Sequence, residues 1–417
     1  MSAPADLVLT ANGPGEISGW LFPVLGALRE QLGGDSGGRR DVRVVVWTPP
    51  CNFASGRERE ALERMGGWDL LLGPHEMWQF VLRGRLPERY RPARRGMVVF
   101  LGGDLFYAAV VARRLGYAAV AYTEGRARWF WAYERFFVPD ESARRRAVGM
   151  GASPQRVEVA GDLVVDAIEQ RRRSLPEAET GAAARLERPL TVGLFAGSRD
   201  FEVRWVLPLL LRAAGMVRER LAGRELRVVA VRSPYASGRA VEEALADAGP
   251  QAVAQVEWVT DEDWTGMRRT QAMLECDVAI TVPGTVTAEL GVLGVPTVTI
   301  LPLQRPDLIP LEGVPGLVGS LPLVGRGIKA AIVRRGARRV GPLSVPSRRA
   351  GRVLSPQLVG TVTPENVAAE VAALLQDAPR RRRLGEELRR AMGPPGAAVR
   401  MAAYVLGRLG AGAGVRP

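Results

Sequence analysis

Along this chain, short continuous runs of apolar residues alternate with segments whose apolar positions recur every three or four residues. The continuous runs are bounded by Gly, Pro or polar clusters and predict buried strands at 7–9, 42–47, 97–101, 118–122, 136–138 and 157–161. Leu70-Leu-Leu72 reads as a further short strand. The recurring positions predict helices near 19–32, 55–65, 105–115, 141–150 and 162–173.

The pattern lapses over Ser174 to Glu187, which is polar and rich in Pro, Glu and Ala, and then restarts. New strands are expected at 190–195, 226–231, 256–259, 278–282 and 297–301. Helices are expected at 201–220, 239–248, 264–276, 285–293, 363–376, 380–392 and 397–409. Strand–helix alternation of this kind is the mark of parallel sheets covered by helices. A chain of 417 residues is also too long for one ordinary core. The expected class is α/β, with an N-terminal Rossmann-like domain over 1–173 and a linker over 174–188. A second Rossmann-like domain over 189–377 and closing helices over 378–417 complete it.

Composition narrows the setting. Two cysteines, Cys51 and Cys276, are too few for a disulfide framework and fit a reducing cytoplasm. No basic stretch precedes Leu7, and no run approaches the ~18 apolar residues of a membrane span, so a soluble or peripheral protein is expected. The net charge of +13 admits nucleic acid, an anionic membrane or an anionic substrate, but the excess is nearly all Arg and spread along the chain. Zinc-ligand spacing, RNA-recognition aromatics and a helix-turn-helix are missing, which argues against nucleic acid. The basic runs Arg144–Arg146, Arg334/Arg335 with Arg338/Arg339, and Arg380–Arg383 fit a membrane surface on the cytoplasmic side. Ile328 to Val340 reads as a basic amphipathic segment suited to the same surface or to solvent.

Candidate chemistry gathers at the turns that follow strands. Thr281 to Glu289 reads as strand, Gly turn and helix, placing Gly284 and Thr285 at a helix N-terminus that favours an anion. Glu289 lies one turn further along the same helix face, where a carboxylate could accept ribose hydroxyls. Gly197 and Ser198 form a second tight turn into a helix, with Arg199 at its mouth. An Arg there opposes the helix dipole, and a phosphate between them would resolve the conflict. Ala11 to Gly19 is a third such turn, though it lacks the G-x-G-x-x-G spacing and the later acidic residue of a dinucleotide site. Asp104 ends a buried strand and suits both a helix cap and a general base. His75, the single histidine, reads as a surface loop residue, so a base must be sought among carboxylates. Asp261-Glu-Asp263 looks like a D-x-D metal motif but sits where a helix cap belongs. Thr123 to Trp131 is dense in Arg and aromatics, suited to a lipid headgroup, a sugar ring or simple packing.

Taken in order, these motifs resemble the lipid A disaccharide synthase family over roughly Leu7 to Leu375. Gly197-Ser-Arg-x-x-Glu202 is similar to the family's P-G-S-R-x-x-E turn, with Ala196 where Pro is usual. Pro283-Gly-Thr-Val-Thr-Ala-Glu289 is similar to its S-G-T-x-x-x-E helix, and Gly161 with Leu163 to Ala167 to its G-x-x-x-x-D-A segment. Gly13 to Gly19 resembles its A-G-E-x-S-G-D turn, with Trp20 in place of Asp. Asp104 stands near its catalytic Asp, in a local pattern reduced to Gly-Gly-Asp. Ser344 to Arg352 resembles its L-P-N-x-x-x-x-R region, with Ser347 for Asn.

The resemblance implies two Rossmann-like domains facing across a cleft, the GT-B architecture, and metal-independent transfer of a sugar from a UDP-sugar donor without a cofactor. An N-acetylglucosamine-type sugar and a lipid-linked or glycolipid acceptor are implied with it. Gly197, Ser198, Arg199, Glu202, Gly284, Thr285, Glu289 and Ser347 would bind the donor. Gly15, Ser18, Trp20 and Arg126 would face the acceptor, and Asp104, or less readily Glu16, would take the acceptor proton. A homodimer is left open. The departures at Trp20 and Asp104 fall on the acceptor side. Two other readings stay in play there: a UDP-sugar 2-epimerase or hydrolase, and a non-catalytic nucleotide-sugar-binding protein.

Overall fold

A computed structural model describes residues 5–33, 42–51, 55–176, 188–221, 223–260, 264, 266–304 and 341–411. The apolar runs form two wholly parallel sheets. The first contains β1 (Ala5–Thr10), β2 (Val42–Trp47), β3 (Leu70–Leu72), β4 (Gly96–Phe100), β5 (Ala118–Tyr122), β6 (Arg135–Val138) and β7 (Val157–Val159), ordered β3-β2-β1-β4-β5-β6-β7. The second contains β8 (Leu190–Phe195), β9 (Leu226–Arg232), β10 (Glu257–Thr260), β11 (Val278–Thr281), β12 (Thr297–Pro302) and β13 (Gln357–Gly360), ordered β10-β9-β8-β11-β12-β13. Both follow the doubly wound order, whose direction reverses between β1 and β4 in one sheet and between β8 and β11 in the other. Ligands of such sheets bind beyond the carboxyl ends of the strands at that reversal.

Strands apolar at every position need cover on both faces, and the first sheet shows how this is met. Leu7, Leu9, Val44 and Val46 enter one core, while Val8, Val45 and Trp47 enter another on the opposite face. Side chains of successive strand residues alternate between faces, so one run of valines feeds both cores.

The chain divides into two compact units. The first holds Met1–Gln170, Asp263–Thr265 and Gly393–Pro417, and the second Arg171–Glu262 and Gly266–Met392. The closing helix Ala397–Ala411 therefore belongs to the first unit. Its Met401, Ala402 and Val405 are buried in the same core as Leu25 and Leu28. Asp166 accepts the amides of Gly396, Ala397 and Ala398 at 2.6, 3.0 and 3.3 Å at the helix start. Glu134 accepts Tyr404 and Arg408 near its end.

Several elements differ from the sequence reading. His75 is not in a loop but in the first turn of a helix, Pro74–Arg83, which Pro74 starts at its first position. The first helix begins at Pro14 and passes through a π-helical turn, Ile17–Leu21, before Phe22–Leu32. β13 and the short helix Val345–Ala350 carry little apolar periodicity, so the pattern does not predict them. Most of the linker, Asp261–Asp263 and the amphipathic segment at 328–340 lie outside the described residues.

Candidate active site

The turns singled out in the sequence occupy the reversal points of the two sheets. In the first unit Thr10 pairs with Phe100, so the turn after β1 lies beside the Gly102–Asp104 loop after β4. In the second, Phe195 pairs with Thr281, which sets the Gly197–Arg199 turn beside Gly284 and Thr285.

Glu16 holds the first of these turns together. Its Oε2 accepts the amides of Asn12 at 3.2 Å and Gly13 at 2.8 Å, and its Oε1 accepts the amide of Gly103 at 3.2 Å. A carboxylate engaged by three N–H groups staples this turn together. Gly102 is required beside it, because a Cβ there would stand 2.1 Å from Oε2. Asp104 caps the helix Leu105–Leu115, with Oδ1 accepting Phe106 N at 2.8 Å, and the residue is exposed. One carboxylate oxygen thus fixes the side chain while Oδ2 can meet an incoming hydroxyl. Cap and base are compatible in this geometry.

Among the acceptor-side residues, Gly15 lies in the first helical turn, and Ser18 donates to Pro14 O at 2.9 Å. Trp20, in the π-helical turn, packs edge-on against Tyr122 with ring centroids 5.1 Å apart. Tyr122 ends β5 and its hydroxyl lies 3.4 Å from Asp162 Oδ1. Trp20 is therefore a half-buried packing residue where a charged group would be poorly accommodated. Arg126 is exposed. His75, also exposed, lies 2.8 Å from Gln79.

In the second unit Glu202 repeats the device of Glu16. Its Oε2 accepts the amides of Ser198 at 3.0 Å and Arg199 at 3.2 Å, and Gly197 adopts φ +102° directly above it. A Cβ on Gly197 would stand 2.3 Å from that oxygen. Glu202 and the Ser198 amide thus hold the turn together. Arg199 remains exposed, with its guanidinium 3.5 Å from Glu202 Oε1.

The helix Thr285–Leu293 begins differently. No side chain caps it, and Gly284 is exposed with nothing near the position of a Cβ. No cap side chain among the described residues occupies this helix start, where free amides and the dipole favour phosphate. One turn on, Glu289 is buried and ion-paired with Arg269, through Oε2. Arg269 was not legible as a site residue, since the pairing joins two helices twenty positions apart. Ser347 is also buried. Its Oγ accepts from Ser344 at 2.8 Å and from Leu354 N at 3.1 Å, so it braces the short helix Val345–Ala350 against the turn that follows. That short helix is tied to Thr285–Leu293 by Val345 N donating to Thr287 Oγ1 at 3.0 Å.

No group of three potential metal ligands occurs among the described residues, and no described helix is long and apolar enough to cross a membrane.

Comparison with known proteins bears on this arrangement. The family model of the lipid-A-disaccharide synthetases matches residues 156–305, which contain both turns of the second unit. The lipid-A-disaccharide synthase of Syntrophus aciditrophicus is 28% identical over 220 residues, 52% of this chain and 49% of that protein. That of Trichlorobacter lovleyi is 30% identical over 223 residues, 52% of this chain and 48% of that protein. The matched region spans about half the length of these relatives. Among solved structures, UDP-GlcNAc 2-epimerase from Neisseria meningitidis, bound to UDP-GlcNAc, gives a TM-score of 0.54 at 12% identity, covering 97% of this chain and 99% of that one. The UDP-GlcNAc 2-epimerase of Methanocaldococcus jannaschii gives 0.54 at 14%, covering 96% and 99%. At such identities these two establish a shared two-domain α/β fold and nothing more.

Proposed function

We propose that this chain, a divergent member of the lipid-A-disaccharide synthase family, is a glycosyltransferase that moves an N-acetylglucosamine-type sugar from UDP to a lipid-linked acceptor. The observation that carries the reading is the uncapped helix start at Gly284 and Thr285, beside Arg199 at the reversal of the second sheet. The diphosphate would lie against the Thr285 amide, with Arg199 forking onto it from the neighbouring turn. Fixed positive potential of this kind stabilises the charge that grows on the leaving diphosphate, and it is already in place before reaction.

Transfer then needs one proton acceptor. The acceptor hydroxyl oxygen bonds to the anomeric carbon as the bond from that carbon to the phosphate oxygen breaks. UDP leaves with the electron pair, and the hydroxyl proton passes to Asp104 Oδ2. Glu289 would offer Oε1 to the ribose while Oε2 holds Arg269.

Titration with UDP by calorimetry tests the donor site. Arg199→Ala is expected to weaken binding at least tenfold, and unchanged affinity would remove Arg199 from it. Incubation with UDP-N-acetylglucosamine and a cell-lipid extract, read by mass spectrometry, tests the reaction. A glycosylated lipid supports transfer; an isomerised or free sugar formed without acceptor supports the epimerase or hydrolase reading.

A further inference from the structure

Half-buried arginines of the second unit are held by carboxylates at several points. Arg227 lies between Glu257 and Glu275, and Arg269 is paired with Glu289. Arg232 is different. It is half-buried at the end of β9, yet among the described residues it meets no carboxylate and donates to no carbonyl. Its guanidinium lies over the start of the helix Gly238–Ala248, where a Cβ on Gly238 would stand 3.7 Å from Nη2. The first turn of that helix contains no acidic residue, and Arg239 adds a second cation there. Arg232 therefore opposes the helix dipole with nothing in that turn to offset it. Packing of the fold gives no reason for a cation at this place.

The neighbouring turn supplies one. β8 and β9 pair with Leu194 opposite Ala230, and the same register carried two residues on sets Arg232 level with Ala196, just before Gly197. Val228 and Ala230 face the core that also receives Val203 and Ala240. Alternation along the strand puts Arg232 on that same face, where the helices Asp200–Arg220 and Gly238–Ala248 begin. Arg199 is the residue that precedes the first of these helices. The two turns are locked together, because Asp200 Oδ1 accepts Ser237 N at 2.8 Å and Oδ2 accepts Ser237 Oγ at 2.7 Å. Both oxygens of Asp200 are thus engaged, and the two turns, each with its arginine, are held about one strand spacing (~4.8 Å) apart. Two like charges so placed repel each other, and an anion between them turns repulsion into a clamp.

Strand order indicates which anion. β9, β8 and β11 lie side by side. On the donor reading above, on which this inference rests, Glu289 takes the ribose beyond β11 and Arg199 meets the diphosphate beyond β8. The diphosphate then runs from β11 toward β9, and the phosphate that bears the sugar comes last, beside Arg232. We infer that Arg232 is a further donor-binding residue, which forks onto the sugar-bearing phosphate and stabilises the charge this phosphate gains as the sugar departs.

Calorimetric titration of the full chain with UDP, and with UMP read by its displacement of UDP, tests it. Arg232→Ala should weaken UDP about tenfold or more and leave UMP within about twofold of wild type, because UMP lacks the phosphate in question. Arg239→Gln, in the same helical turn but paired with Glu243, should bind both nucleotides as the wild type does. Removing an unpartnered cation from a helix start should leave the melting temperature of the ligand-free protein unchanged or slightly higher, while the rise on adding UDP shrinks. A wild type that binds no UDP sinks the donor reading and this inference with it. Wild-type binding of UDP that Arg232→Ala retains in full overturns this inference alone. Equal losses of UDP and UMP in Arg232→Ala would move the side chain to the uridine half, and a lowered melting temperature without ligand would make its role structural. Either result overturns the assignment.

Discussion

The carboxylate of Glu16 accepts the amide of Gly103 at 3.2 Å while it also holds Asn12 and Gly13, so one side chain locks the β1 turn to the loop that ends in Asp104. Losing it would leave three N–H groups to find other partners. Glu16→Ala is expected to lower unfolding free energy by about 2–3 kcal/mol, at the upper end for bonds to a charged acceptor in a part-buried site. Gly102→Ala should behave similarly, because its methyl group displaces the same carboxylate. Urea denaturation reads both. If Glu16→Gln instead left stability unchanged and abolished turnover, Glu16 would be the base after all.

Asp104 separates cap from chemistry by a conservative change. Asn is as good a helix cap as Asp, so Asp104→Asn should keep stability within a few tenths of a kcal/mol. It cannot take a proton, and turnover should fall ~10²–10⁴-fold. Asp104→Ala should show the same loss of turnover plus about 1 kcal/mol of destabilisation. Single-turnover rates and thermal melts on the same samples give both numbers. An Asp104→Asn enzyme of normal rate would leave Asp104 with the cap alone.

Much of the fold is legible in the sequence because strand runs and Gly turns are local signals. Val44-Val-Val46 and Val278-Ala-Ile280 announce parallel strands, and Gly197 and Gly284 mark where each strand hands over to a helix. What the residues in those turns do was less visible. The spacing from Gly13 to Glu16, Gly73 to Glu76 and Arg199 to Glu202 is that of a capping box, and all three carboxylates reach back to turn amides. That spacing is present in the sequence, but it does not by itself separate a carboxylate that holds a turn from one that meets a ligand. Trp20 on Tyr122 and Arg269 on Glu289 depend on chain segments far apart in sequence, where no periodicity reports the contact.

The closing helix should respond to acid through Glu134. Burial opposes ionisation of this carboxyl, but hydrogen bonds from Arg408 and Tyr404 outweigh it and hold the group below its ordinary value of 4.5. A carboxyl lowered in the folded state contributes stability above its unfolded pKa and loses it as pH falls through the folded one. Arg408 is half exposed, so the contribution should stay under ~1 kcal/mol. The stability difference between wild type and Glu134→Gln should therefore be constant from pH 7 to about 5 and vanish below the folded pKa. Hydrogen exchange along 397–411 should rise over the same interval. A difference that grew on acidification would contradict the sign.

Glu289 and Arg269 make the most exacting test, because the carboxylate is 2% exposed and a guanidinium is its charge partner. Removing one partner of a buried pair strands the other, whereas removing both need not. Arg269→Leu alone is expected to cost about 3–5 kcal/mol, and Arg269→Leu with Glu289→Leu markedly less, giving a double-mutant cycle with coupling well above 1 kcal/mol. Nucleotide binding divides the same variants differently. If Glu289 Oε1 receives the ribose, Glu289→Gln should weaken UDP severalfold while inorganic diphosphate is bound as before, since the helix start at Thr285 is untouched. Parallel loss of both ligands would mean that the pair holds the helix in place and leaves the ribose to another residue.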